Sequence, residues 1–129
     1  MSNKFGKSYK LCSKKAIESI FNQKQSVKAY PMRLFYLAHE IPSSTTFQIA
    51  VSVPKKKFKR APDRNLLKRR IKEAIRLNKS LLEEYLGANN KQLALFLIYS
   101  SDEILCYAEI EKKIILILKR LVNEVSNSI

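Results

Sequence analysis

Apolar positions along the 129 residues follow two rhythms, one of about 3.6 and one of 2. Ala16, Ile17, Ile20 and Phe21 recur at helical spacing, and Ser13 stands where a hydroxyl can cap the helix they predict. The polar stretch "QKQSVKA" after it has room for a short edge strand. Pro31–His39 then alternates: Met32, Leu34 and Tyr36 point one way, Arg33, Phe35 and Leu37 the other. Phe47–Pro54 reads as a second strand, ended by Pro54. Past a basic connection, Pro62 favours an extended approach and Asp63 caps a long helix running to Leu86, with Gly87 as its stop. Gln92–Ser100 is apolar throughout, as in a central or parallel strand covered on both faces. Tyr107, Ile110, Ile114, Ile117, Leu118, Leu121 and Val125 make a last helical stripe. The order is helix, two or three strands, helix, strand, helix. It predicts one domain over residues 1–129, an α/β two-layer sandwich of one sheet with helices packed on it.

Charge changes this picture. Residues 1–76 carry 19 Lys and Arg against four acids, a net of +15, while residues 77–129 carry six against seven. From Lys55 to Arg76, 11 of 22 residues are basic. On a helical wheel Leu67, Ile71, Ala74 and Ile75 gather on one side. Arg64, Lys68, Lys72 and Arg76 follow an i, i+4 row beside Asn65 and Arg69, and their side chains are expected to leave the core face. Like charges at that spacing cost a few tenths of a kcal/mol per pair. Phosphates would neutralise the row, so a polyanion, and nucleic acid rather than a membrane, is the expected partner.

Other chemistries find little material. The chain has two glycines, one histidine (His39, expected on the surface) and two cysteines without metal-ligand spacing, so neither a phosphate loop nor a nucleophilic set can be assembled. Cys12 and Cys106 are expected reduced and half-buried. No metal site is expected in the protein. No apolar run approaches a membrane span, and the N-terminal stretch lacks the apolar core of a signal peptide, so a cytoplasmic protein is expected. A DNA reader would need a helix-turn-helix pair, and none precedes the basic helix. An autonomous nuclease would need carboxylate or histidine clusters. A non-catalytic ribosomal or assembly protein binding structured RNA stays open.

Spacing narrows the choice. "RN..KRRIKEAIR", preceded by "VPKKKFKRAPD", resembles the signature of the bacterial ribonuclease P protein family, at Arg64, Asn65, Lys68, Arg69, Glu73 and Arg76. Leu66 and Lys72 stand where the family has arginines, and its glycine in the preceding loop is absent. "CSKKAIESIF" is similar to the family's first helix; "MRLFYL", "QLALFLIYS" and the final helix are similar to later elements. The resemblance implies the order αβββαβα around a mixed sheet, with a left-handed βαβ crossover that periodicity would not disclose. It implies the protein subunit of an endoribonuclease that removes the 5′ leader of precursor transfer RNA. In that enzyme catalysis belongs to an RNA subunit with Mg2+, and the protein holds no cofactor itself. Arg64, Asn65, Lys68, Arg69, Lys72 and Arg76 would bind the catalytic RNA. Phe21, Phe35 and Ile17, with Lys56 and Lys57, would line a cleft between first helix and sheet for the single-stranded leader.

Overall fold

The computed structural model describes residues 9–11, 13–41 and 45–127. Its elements are α1 (Lys14–Gln23), β1 (Ser26–Ala29), β2 (Met32–Ala38), β3 (Phe47–Ser52), α2 (Ala61–Asn78), α3 (Ser80–Ala88), β4 (Leu93–Tyr99) and α4 (Tyr107–Asn127). The short strand foreseen in "QKQSVKA" is β1. The strands form one sheet in the order β1-β2-β4-β3. β1 pairs with β2 and β2 with β4 antiparallel, while β3 pairs with β4 in parallel. β4 is therefore central, which is why its sequence is apolar without alternation.

The two faces of the sheet are unequally covered. Leu34, Phe47, Leu95, Leu97 and Tyr99 point to the face that packs α2, α3 and α4. Phe35, Leu37, Ala50, Ala94 and Phe96 point to the other, where α1 lies with Leu11, Ala16 and Ile20. α2 packs toward β3 and α4 toward β1, so they occupy opposite sides of the larger face. At β3's outer edge a parallel bridge from Lys10 to Ile49 and the bond from the Leu11 N–H to the Ile49 carbonyl (3.1 Å) cover exposed backbone.

Helix ends follow local chemistry in one case and depart from expectation in two. Ser13 Oγ accepts from the Ala16 N–H at 3.2 Å, capping α1 as its sequence foretells. α2 begins at Ala61 rather than after Asp63, with Pro62 in its first turn and no side-chain cap. Proline fits there because that N–H has no helical partner to lose. Asp63 instead puts its charge near the positive end of the helix. The long helix expected to Leu86 is broken at Lys79, and its second half, α3, runs past Gly87 to Ala88. Lys79 is buried at 8% exposure. Its ammonium lies 4.6 Å from the centre of the Tyr9 ring and 3.4 Å from the Tyr9 hydroxyl, which donates to Glu83 at 2.8 Å. Burial, then the Glu83 carboxylate, push the Tyr9 phenol up to about 12. Asn78, just before the break, donates its side-chain amide to the Ala74 carbonyl (2.8 Å) and to Glu111 of α4 (3.1 Å).

Candidate nucleic-acid interface

The basic face of α2 is narrower than the sequence row. An i, i+4 step advances the azimuth by about 40°, so a row of four drifts well over a right angle. Its first member, Arg64, lies over the core side. That guanidinium is half-buried and donates to the carbonyls of Phe58 (2.7 Å) and Lys59 (3.1 Å), fastening the basic loop to the helix. The expectation that Arg64 points away from the core is corrected by this drift. Arg70 likewise turns inward, donating to the Leu105 carbonyl at 2.7 Å. Arg76 pairs with Glu73 on its own helix, Nε lying 3.2 Å from Oε2. The hydrogen bond from Arg76 draws the Glu73 carboxyl below its usual value. Asn65, Arg69 and Lys72 are exposed, and Lys68 is half-exposed beside them. These four form the outward face, and Leu67, Ile71, Ala74 and Ile75 the buried one.

The smaller face of the sheet supplies a second surface. Cross-strand register aligns Phe35 with Phe96 and Phe96 with Ala50. Phe21 of α1 leans onto this row, its ring centre 5.1 Å from those of both Phe35 and Phe96. Phe21 stays 38% exposed, whereas Phe35 and Ile17 are half-buried. The rings thus form an open aromatic cluster, core on one side and surface on the other. The next row, Arg33, Ile98 and Ser52, lies beyond the cluster that α1 covers. Arg33 is exposed, with its guanidinium carbon 5.6 Å from the Phe35 centroid. Lys56 and Lys57 occupy an exposed turn just after Ser52, held by bonds from the Lys57 and Phe58 N–H groups to the Pro54 carbonyl (3.2 and 3.3 Å). Aromatic rings and an arginine therefore meet on this face, and the basic turn follows the end of β3. Of the residues expected to line a helix–sheet cleft, Phe21, Phe35 and Ile17 come together here, joined by Phe96 and Arg33. Phe96 was hidden because a continuously apolar strand shows no alternation. Arg33 was legible as a polar position opposite Leu34, but not its neighbours.

Cys106 is exposed rather than half-buried, because it lies in the loop ahead of α4; Cys12 lies outside the described residues. His39 is half-buried at the end of β2, its N–H donating to the Gln92 carbonyl at 3.1 Å. Among the described residues no three His, Cys, Asp or Glu side chains gather as metal ligands. No helix among them is long and apolar enough to cross a membrane. Among the described residues the element preceding α2 is a strand, so α2 is not the second helix of a helix-turn-helix pair.

The family model described as Ribonuclease P matches residues 5–122. A ribonuclease P protein component from Porphyromonas gingivalis is 31% identical over 122 residues, which cover 95% of this chain and 89% of that one. Among solved structures, the RNase P protein from Thermotoga maritima superposes with a TM-score of 0.68 at 20% identity, covering 86% of this chain and 96% of that one. The Staphylococcus aureus RNase P protein superposes with a TM-score of 0.65 at 19% identity, covering 88% and 94%. The shared fold is a mixed four-stranded sheet with four helices.

Proposed function

The chain belongs to the ribonuclease P protein family, the subunit of a transfer-RNA-processing endoribonuclease whose catalysis is carried by RNA, and we propose that its two surfaces divide the binding work. Asn65, Lys68, Arg69 and Lys72 on α2 dock on phosphates of the catalytic RNA, with Arg76 contributing from its pair with Glu73. Arg64 acts there mainly by holding the loop that carries Lys59. Arginine brings a planar fork to phosphate, lysine a mobile point charge, and Asn65 both a donor and an acceptor. Phe21, Phe35 and Phe96, with Ile17, hold the single-stranded 5′ leader of precursor transfer RNA. Lys56 and Lys57 neutralise its phosphates. Stacking suits a leader of any sequence because every base has a π-face.

The single observation that carries this reading is the pairing of an outward cationic helix face with an open aromatic cluster on the opposite face of the sheet. A chain whose only task was to coat structured RNA would have no use for the second. The outward face of α2 would meet a divalent cation with three like charges, at Lys68, Arg69 and Lys72. The Mg2+ of the holoenzyme belongs with the RNA, and the protein's part is to bind and orient. The cytoplasm is where such a subunit would meet its RNA.

The test is cleavage of precursor transfer RNA across a magnesium titration, with protein alone, cognate RNA alone, and both. The protein alone is expected not to cut. The RNA alone should cut at high magnesium, and added protein should lower that requirement because its cations replace part of the screening. Cleavage by the protein alone would overturn the reading.

A further inference from the structure

Tyr30 is the most exposed large apolar side chain among the described residues, at 74%. It sits in the turn between β1 and β2, beside a recess of about 370 Å³ lined also by Lys28, Pro31, Met32, Arg33 and Ser100. The Arg120 guanidinium of α4 donates to the Lys28 carbonyl and so steadies the turn from behind. Arg33 is shared: it lines this recess and also lies over the Phe35 ring. The recess and the aromatic cleft are thus consecutive stations on one surface, joined by a guanidinium.

Their order follows from topology. α2 packs toward β3, and β1 is the opposite edge of the sheet. A strand that starts from RNA docked on α2 and crosses the cleft leaves over β1. Four strands at roughly 4.8 Å put that edge about 14 Å from β3. Tyr30 is therefore reached only by nucleotides beyond those in the cleft.

We propose that Tyr30 stacks on a distal base of the 5′ leader, with Lys28 and Arg33 neutralising the phosphates on either side of it. The inference rests on the cleft reading above. Cations flanking an exposed ring are what sequence-tolerant single-strand binding requires. Lys28 and Arg33 are cross-strand partners and both are exposed, so the charge is on the same face as the path.

The experiment uses the assembled holoenzyme and precursor transfer RNAs with leaders of stepwise increasing length. Wild-type affinity should rise in two stages. Phe35→Ala should forfeit the earlier stage, and Tyr30→Ala only the later, by about fivefold or more. Tyr30→Phe, which keeps the ring, should recover the later stage. The chain has no tryptophan, so Tyr30→Trp gives a single reporter, whose fluorescence should be quenched only by long-leader substrate. If Tyr30→Ala matches wild type at every length, the inference is overturned. Equal loss at every length overturns it too, because the ring then meets the catalytic RNA. If instead Phe35→Ala matches wild type while Tyr30→Ala loses the late stage, the Tyr30 site stands and the cleft reading fails.

Discussion

Arg64 and Arg69 share a helix but not a role. Arg64→Ala removes two hydrogen bonds from a half-buried guanidinium to loop carbonyls. It should destabilise the fold by about 1–3 kcal/mol in denaturant melts while also weakening RNA binding. Arg69→Ala, from an exposed position, should leave the melt within about 0.5 kcal/mol and weaken RNA binding alone. Equal stability effects would place the two guanidinia in the same environment. Tyr9 offers a test by pH. Its phenol is raised to about 12, so the folded state keeps the proton that an unfolded chain releases near its ordinary 10. This contribution is fully present below pH 10 and is lost as pH rises toward 12. Tyr36, Tyr99 and Tyr107 are raised as well, each chiefly by burial. Denaturant titrations should show stability falling above pH 10, with a shallower fall for Tyr9→Phe than for wild type.

Among the elements, α1 is the wall of the cleft and has a single side-chain cap. Ser13→Ala should cost about 1 kcal/mol. Because α1 is the one helix among the described residues on its face of the sheet, the loss should be local: faster hydrogen exchange in α1 than in β4, and weaker discrimination of precursor from mature transfer RNA. Unchanged exchange in α1 would refute that. Most element identities were legible because each buries one face, and a buried face imposes a period on the sequence. Met32, Leu34 and Tyr36 against Arg33, Phe35 and Leu37 is that period in β2. The break at Lys79 was not legible. It coincides with a contact to Tyr9, seventy positions earlier, and no local pattern reports a partner so distant. The same limit applied at the site. The cationic side of α2 could be read, and the inward place of Arg64 follows from the drift of its row, but not that Arg70 would donate to the carbonyl of Leu105, 35 positions on. Glu73 and Arg76, three apart, were within reach of a helical wheel.

The whole molecule concentrates its charge in the first 76 residues, so its affinity for RNA should be governed by counterion release. Log affinity should fall linearly with log salt. Alanine at Lys68, Arg69 or Lys72 should flatten the slope by about one each, and at Arg76, already paired, by less. An affinity nearly indifferent to salt would contradict this. The central place of β4 has a consequence for how the protein is made. β2 and β3 have no ladder in common until Leu93–Tyr99 arrives between them. A chain growing from its first residue therefore emits its cationic half before it can close its sheet. It does so at the surface of a ribosome, itself largely a polyanion. Until then the cleft lacks the central strand of its floor, and with it Phe96. Release of Leu93–Tyr99 from the ribosome is the step that lets the sheet close and the cleft take its shape.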